Sequence, residues 1–193
     1  MLTALMLYGS RARGDFNASS DVDLLGVSPT LPSHLVSEGN IKLNIYHQDV
    51  LLNMAVDGSL YVWHLKCEGK TIFDHEQSLN NILSSFVLKK DYSKKRYEAA
   101  MTGWLLFSPG VLDSQNELIV STVVYVVRTI AYSILAEKNT PAFSLRDVML
   151  HISDDNLKKL WLIKHKSSMR NAELERFGNF MLRYAGPAPH WAG

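Results

Sequence analysis

Short alternating runs give way along this chain to longer helical periods. Residues 3–8, 21–27 and 41–46 are predicted strands. The third sets Ile41, Leu43 and Ile45 against Lys42 and Asn44, the pattern of a half-buried strand. Residues 28–40 contain Pro29, Pro32, Gly39 and three serines and are predicted to form a loop. Helices are predicted over 48–56, ending near Asp57 and Gly58, and over 59–67, ending at Gly69. Residues 70–73 favour a short edge strand, and Asp74 can cap a helix over 76–88.

From Asp91 onward every periodic segment is helical. One helix covers 92–107 and closes at Ser108, Pro109 and Gly110. A longer one covers 115–137, preceded by the capping-box pair Ser114 and Glu117, and stops at Asn139, Thr140 and Pro141. Ser144 with Asp147 starts a short helix. Ser153, Asp154 and Asp155 cap another that runs through His165, and 171–184 form the last before Gly186, Pro187 and Pro189. The expectation is an α+β protein, with a mixed-sheet domain over 1–88 and a helical bundle over 89–193. Adjoining domains of this kind commonly hold a ligand between them.

Composition narrows the function classes. The chain has 193 residues, 47% hydrophobic and 20% charged, with a formal net charge of +1. That balance argues against a general nucleic-acid partner, which usually demands a basic excess, and against an acidic disordered chain. A lone Cys67, read as a small core residue, excludes an intrachain disulfide and fits a reducing cytoplasm. The apolar start, 1–7, lacks the basic flank of a signal peptide. The longest apolar stretch, 118–135, contains Arg128 and reads as a buried helix, so no membrane partner is expected.

Candidate chemistry concentrates near the start. Leu7, Tyr8, Gly9, Ser10, Arg11, Ala12, Arg13 and Gly14 run consecutively, and Ser20, Asp21, Val22, Asp23, Leu24 and Leu25 follow a short polar loop. Positions i and i+2 of a strand face the same way, so Asp21 and Asp23 project together if 21–27 is extended. Paired carboxylates repel, and a hard divalent cation removes the conflict. Gly9 permits close backbone approach, Ser10 offers a hydroxyl, and free N–H groups after a strand end suit a phosphate.

These residues resemble the nucleotidyltransferase fold of the DNA polymerase beta superfamily, and above all its small bacterial branch, the minimal and aminoglycoside-type nucleotidyltransferases. The matching pattern is an apolar strand, Gly9 and Ser10, then Ala12, Arg13 and Gly14, then Ser20, Asp21, Asp23 and Leu24. The resemblance implies transfer of a nucleoside monophosphate, AMP from ATP in the leading case, to a hydroxyl of a small molecule or a partner protein, with Mg2+ or Mn2+. It implies that Gly9, Ser10, Arg13 and Ser20 bind the nucleotide and that Asp21 and Asp23 hold metal. A homodimer remains open.

Two features depart from the family pattern. A third carboxylate belongs on a later strand, and that position falls on Asn44. An amide is a weaker metal ligand and cannot accept a proton. Asp49, five residues later, is a poor substitute. The chain also begins almost directly with its first strand, where the family usually places a helix. A catalytically impaired nucleotide-binding module is therefore the alternative.

The helical half resembles the bundle beside aminoglycoside-type modules and the HEPN bundle. Arg146 and His151 echo the HEPN ribonuclease spacing, giving a third reading as an RNase fused to a nucleotidyltransferase-like domain. Arg128 calls for a partner, a structural ion pair being the simpler one. Arg11 is either a phosphate contact or a solvated loop residue, and Tyr125 and Tyr132 share a helix face for packing. Lys89, Lys90, Lys94, Lys95 and Arg96 read as a solvated helix start. His47, His64 and His75 show no zinc spacing.

Overall fold

The computed structural model describes residues 1–108, 116–166 and 168–190. The chain divides into two compact units, Met1–Lys89 and Lys90–Gly193.

The first unit is a mixed five-stranded sheet with helices. The strands are β1 (Ala4–Tyr8), β2 (Val22–Ser28), β3 (His34–Glu38), β4 (Ile41–His47) and β5 (Lys70–Asp74), in spatial order β3-β4-β2-β1-β5. β1 runs antiparallel to β2 and β5, β2 parallel to β4, and β3 antiparallel to β4. Helices α2 (Gln48–Val56), α3 (Leu60–Glu68) and α4 (Ser78–Ser84) supply one apolar side of the core. Leu51 and Ala55, Val62 and Leu65, and Leu79 and Ile82 pack with Ala4, Met6 and Tyr8 of β1 and Leu25 and Val27 of β2. Each fully buried large side chain contributes about 1.5–3 kcal/mol relative to exposure, so this alternating row fixes the strand register.

Four local expectations change. Residues 9–13, read as loop, form a short helix, α1 (Gly9–Arg13), closed by Gly14, whose N–H reaches the Ser10 carbonyl at 2.9 Å. The expected loop 28–40 contains β3, whose five residues are all exposed. An exposed edge strand carries no strong apolar pattern, and its visible signal was the two-residue Gly39, Asn40 turn joining paired Glu38 and Ile41. The helix expected from 76 starts at Ser78, because Glu76 and Gln77 are left-handed, with φ of 53° and 57°. Asp74 spans that kink and accepts the Leu79 and Asn80 N–H groups at 2.9 Å each. Cys67 is exposed rather than in the core, since α3 buries Leu60, Val62, Trp63 and Leu65 instead.

The second unit is helical: α5 (Ser93–Trp104), α6 (Asn116–Glu137), α7 (Leu145–His151), α8 (Asp155–Trp161) and α9 (Asn171–Ala185). Ser114, Pro109 and Gly110 lie outside the described residues. Among those residues α6 is the one helix long and apolar enough to cross a membrane, with mean hydropathy 1.9 over its most apolar window. Here Val123, Val126, Val127, Ile130, Ala131 and Leu135 are buried in the unit's core. Tyr132 packs, with its ring 5.8 Å from Trp161 and its hydroxyl donating to the Phe143 carbonyl at 2.9 Å, whereas Tyr125 is exposed. Arg128 lies over the Trp161 ring at 5.1 Å, a cation–π contact, and among the described residues it does not form the expected ion pair.

The carboxylates buried in this unit, Asp154 and Glu173, secure helix ends. Asp154 accepts the Asn156 and Leu157 N–H groups, the Tyr184 hydroxyl at 2.7 Å and Arg183 at 3.2 Å. Glu173 accepts the Arg170 N–H at 3.0 Å and is paired with Lys166. Arg96, within the basic run at the start of the unit, donates to Glu137 at 2.7 Å.

Candidate active site

β1 ends at Tyr8, directly opposite Asp23 of β2, and the chain turns there into α1. The turn requires glycine on two counts. Gly9 has φ of 73°, and a Cβ there would stand 2.6 Å from Asp23 Oδ2. The Asp23 carboxylate therefore lies against the backbone of the first residue of α1, next to Ser10.

The parallel register then sets Lys42 of β4 opposite Asp23, with Asn44 two positions on, opposite Leu25. Paired neighbours in a sheet share a face, so Tyr8, Asp23 and Lys42 form one row across three strands. The Lys42 ammonium donates to Asp21 Oδ2 at 2.6 Å, and both side chains are nearly half exposed. Asn44 Nδ2 donates to the Tyr8 hydroxyl at 2.7 Å, which leaves its amide oxygen as its acceptor.

Helix α3 closes the floor of this row. The Tyr61 and His64 rings meet Tyr8 edge-on at 5.7 and 5.8 Å, and Tyr46 lies 5.6 Å from Tyr61. Burial pushes the Tyr8 phenol above its ordinary pKa, and the Asp23 charge adds to the rise. Burial raises Tyr61 further, with Tyr8 next in effect. The Tyr61 hydroxyl is buried without a partner in hydrogen-bonding geometry among the described residues. These phenols stay neutral at any physiological pH. An open depression beyond Asn44 is lined by Ser33, His34, Leu35, Asn44, Ile45 and Tyr46.

The remaining motif residues shape the loop. Arg13 Nη1 and His64 Nε2 both meet Glu68 Oε2 at 2.7 Å, and Arg13 Nε also donates to Asp15. Burial disfavours the Arg13 charge, but Glu68 and Asp15 outweigh it and hold its pKa above the usual value. The Ser20 hydroxyl accepts the Asn17 N–H at 3.0 Å, and its carbonyl accepts Arg11 Nη2 at 3.0 Å. Arg11 also covers the Phe16 ring at 4.9 Å, so it ties α1 to the loop that delivers Asp21. Sequence reasoning missed Lys42, Glu68 and His64; Lys42 pairs with Asp21 and Glu68 with Arg13 in distant segments, while His64 and Glu68 also pair within α3. The i, i+4 spacing of His64 and Glu68 on one predicted helix was the available signal for that pair.

Residues 2–80 match the family model of the nucleotidyltransferase domain. The first unit is a nucleotidyltransferase domain of the polymerase beta superfamily. The general chemistry of such a domain is nucleotidyl transfer. A solved structure described as a nucleotidyltransferase-like protein from Exiguobacterium sibiricum 255-15 covers 96% of this chain and 70% of its own. It is 16% identical with a TM-score of 0.35, too loose a likeness to support any detail.

No group of three or more His, Cys, Asp or Glu side chains is placed to hold a metal among the described residues. The nucleotidyltransferase domain instead presents Asp23 and the Asn44 amide on one face of the sheet, with Asp21 just before β2, outside the strand expected over 21–27, and held by Lys42. Mg2+ typically takes one or two carboxylates and fills its remaining positions with water and phosphate oxygens. The donor set thus fits an ion that arrives with a triphosphate, not a preformed cage. Arg146 and His151, at opposite ends of α7, are five residues apart.

Proposed function

We propose that this chain transfers a nucleoside monophosphate, AMP from ATP in the leading case, to a hydroxyl group with Mg2+ or Mn2+. The observation that carries the reading is the Asp23 carboxylate packed against Gly9 at the start of α1. The N–H groups at the start of α1 and the Ser10 hydroxyl would hold the terminal phosphates. Asp21 and Asp23 would hold the metal. When bound, the ion neutralises phosphate charge and lowers the pKa of the attacking hydroxyl.

The acceptor oxygen bonds to the α-phosphorus while the bond to the bridging oxygen breaks, and pyrophosphate leaves with that electron pair. The hydroxyl proton goes to Asp23 or to water, since the Asn44 amide cannot take it. The open depression, with Leu35 and Tyr46 on its walls, offers apolar surface for a base or an acceptor. The acceptor would be a small molecule or a Tyr, Ser or Thr side chain of a partner protein.

Incubation with each α-labelled triphosphate, Mg2+ or Mn2+ and a cell extract tests this. Label on a small molecule or on protein supports transfer and separates the acceptor classes. A second reading, a nucleotide-binding module without turnover, draws on Asn44, whose amide donates to Tyr8 where the family has an acid. It predicts nucleotide binding with no label under either metal, and transfer appearing in Asn44→Asp.

A further inference from the structure

We propose that Lys42 is a triphosphate-binding residue whose ammonium supplies, from the chain itself, positive charge at the site. The inference rests on the reading above for where the triphosphate lies.

Lys42 pairs in register with Asp23, on the same face of the sheet. Its Nζ is 2.6 Å from Asp21 Oδ2, so it sits among the carboxylates assigned to the metal. An ammonium has three donors, and one on Asp21 leaves two for phosphate oxygens. Its side chain is 45% exposed, so those donors are open to a ligand. Asn44 removes one negative charge where the family has an acid, and Lys42 adds one positive charge two residues earlier. Both features favour holding an anion with fewer metal ions. Before metal is supplied, Lys42 adds a cation beside Asp21 and Asp23 to the N–H groups and the Ser10 hydroxyl that would hold the triphosphate.

Binding of a non-hydrolysable ATP analogue, measured by calorimetry in Mg2+ and in EDTA, tests the assignment. Wild type is expected to retain measurable affinity in EDTA. Lys42→Met should weaken binding in EDTA by roughly tenfold or more, the value of a charged hydrogen bond, and by less with Mg2+. Lys42→Arg should keep it, and Asp21→Asn, which releases the ammonium, should tighten binding in EDTA. A urea midpoint equal to wild type shows that Lys42→Met is folded. If wild type binds only with Mg2+, or if Lys42→Met binds like wild type under both conditions, Lys42 is a surface ion pair and the inference falls alone. If wild type binds the analogue in neither condition, the triphosphate site itself falls with it.

Discussion

Asp154 and Glu173 of the helical unit and Asp21 and Asp23 of the sheet unit are held in contrasting ways, although Asp74 and Glu68 of the sheet unit are also wrapped in donors. In the helical unit Asp154 takes two backbone N–H groups, a phenol and a guanidinium, and Glu173 is similarly surrounded. Their charges are consumed in closing helix ends. In the sheet unit Asp21 holds a half-exposed lysine, and Asp23 is pressed against a glycine at a strand end. A carboxylate wrapped in donors stabilises a fold. One set at a strand end against a glycine, as Asp23 is, stands where a ligand could reach the start of α1.

The largest effect that could break this contrast is on activity. Asp23→Asn should lower transfer by more than the ~100-fold typical of losing an outer-sphere metal partner. Its urea midpoint should equal or exceed that of wild type. A strongly destabilised variant would mean Asp23 serves the fold instead. Asp154→Ala should do the reverse. Loss of a helix cap and of a charged hydrogen bond predicts about 2–4 kcal/mol less stability in the helical unit's urea transition, with affinity for nucleotide unchanged.

Gly9→Ala sits between these extremes. The left-handed backbone costs a Cβ-bearing residue about 1–2 kcal/mol. The 2.6 Å approach to Asp23 is relieved only by moving the carboxylate. We expect a modest fall in stability and a disproportionate loss of nucleotide affinity by calorimetry. Equal losses in both would show that the close approach has no bearing on the ligand.

The smallest effect concerns acid. Hydrogen bonds from Lys166 and the Arg170 backbone pull Glu173 from the ordinary 4.5 down to about 2. A depressed folded-state value gives stability that is complete above 4.5 and lost as pH falls toward 2. Burial pushes Asp154 up, but Tyr184, two N–H groups and Arg183 outweigh it and leave it below its usual value, so it acts in the same direction. Glu173→Gln should flatten part of the helical unit's acid transition between pH 4.5 and 2, followed by circular dichroism. An unchanged slope would remove Glu173 from this account.

Much of this architecture is legible in local sequence patterns. Alternation marks β1, which carries one buried face, β2 shows as an apolar run, β4 shows by its alternating sequence, and periodicity marks the helices. β3 escapes because all five of its residues are exposed, so only the Gly39, Asn40 turn could betray it. The pairing of Lys42 with Asp21 spans 21 residues, and that of Arg13 with Glu68 spans 55. Such contacts depend on strand register and helix placement, which sequence spacing does not encode. Gly9 and Asp23 meet because Tyr8 pairs with Asp23 across β1 and β2, a register that the motif's spacing does not state. Nor could the motif show that Ser20 would spend its hydroxyl on Asn17.

The outward position of Cys67 has a practical side. It is the sole thiol of the chain, and it shares α3 with Tyr61 and His64, whose rings touch Tyr8. A fluorophore attached there through maleimide chemistry would need no engineered mutation and would sit one residue from Glu68. Partial desolvation raises the thiol pKa, so conjugation should proceed faster in mildly alkaline buffer. The molecule thus carries its own labelling handle for watching ligand arrival in real time.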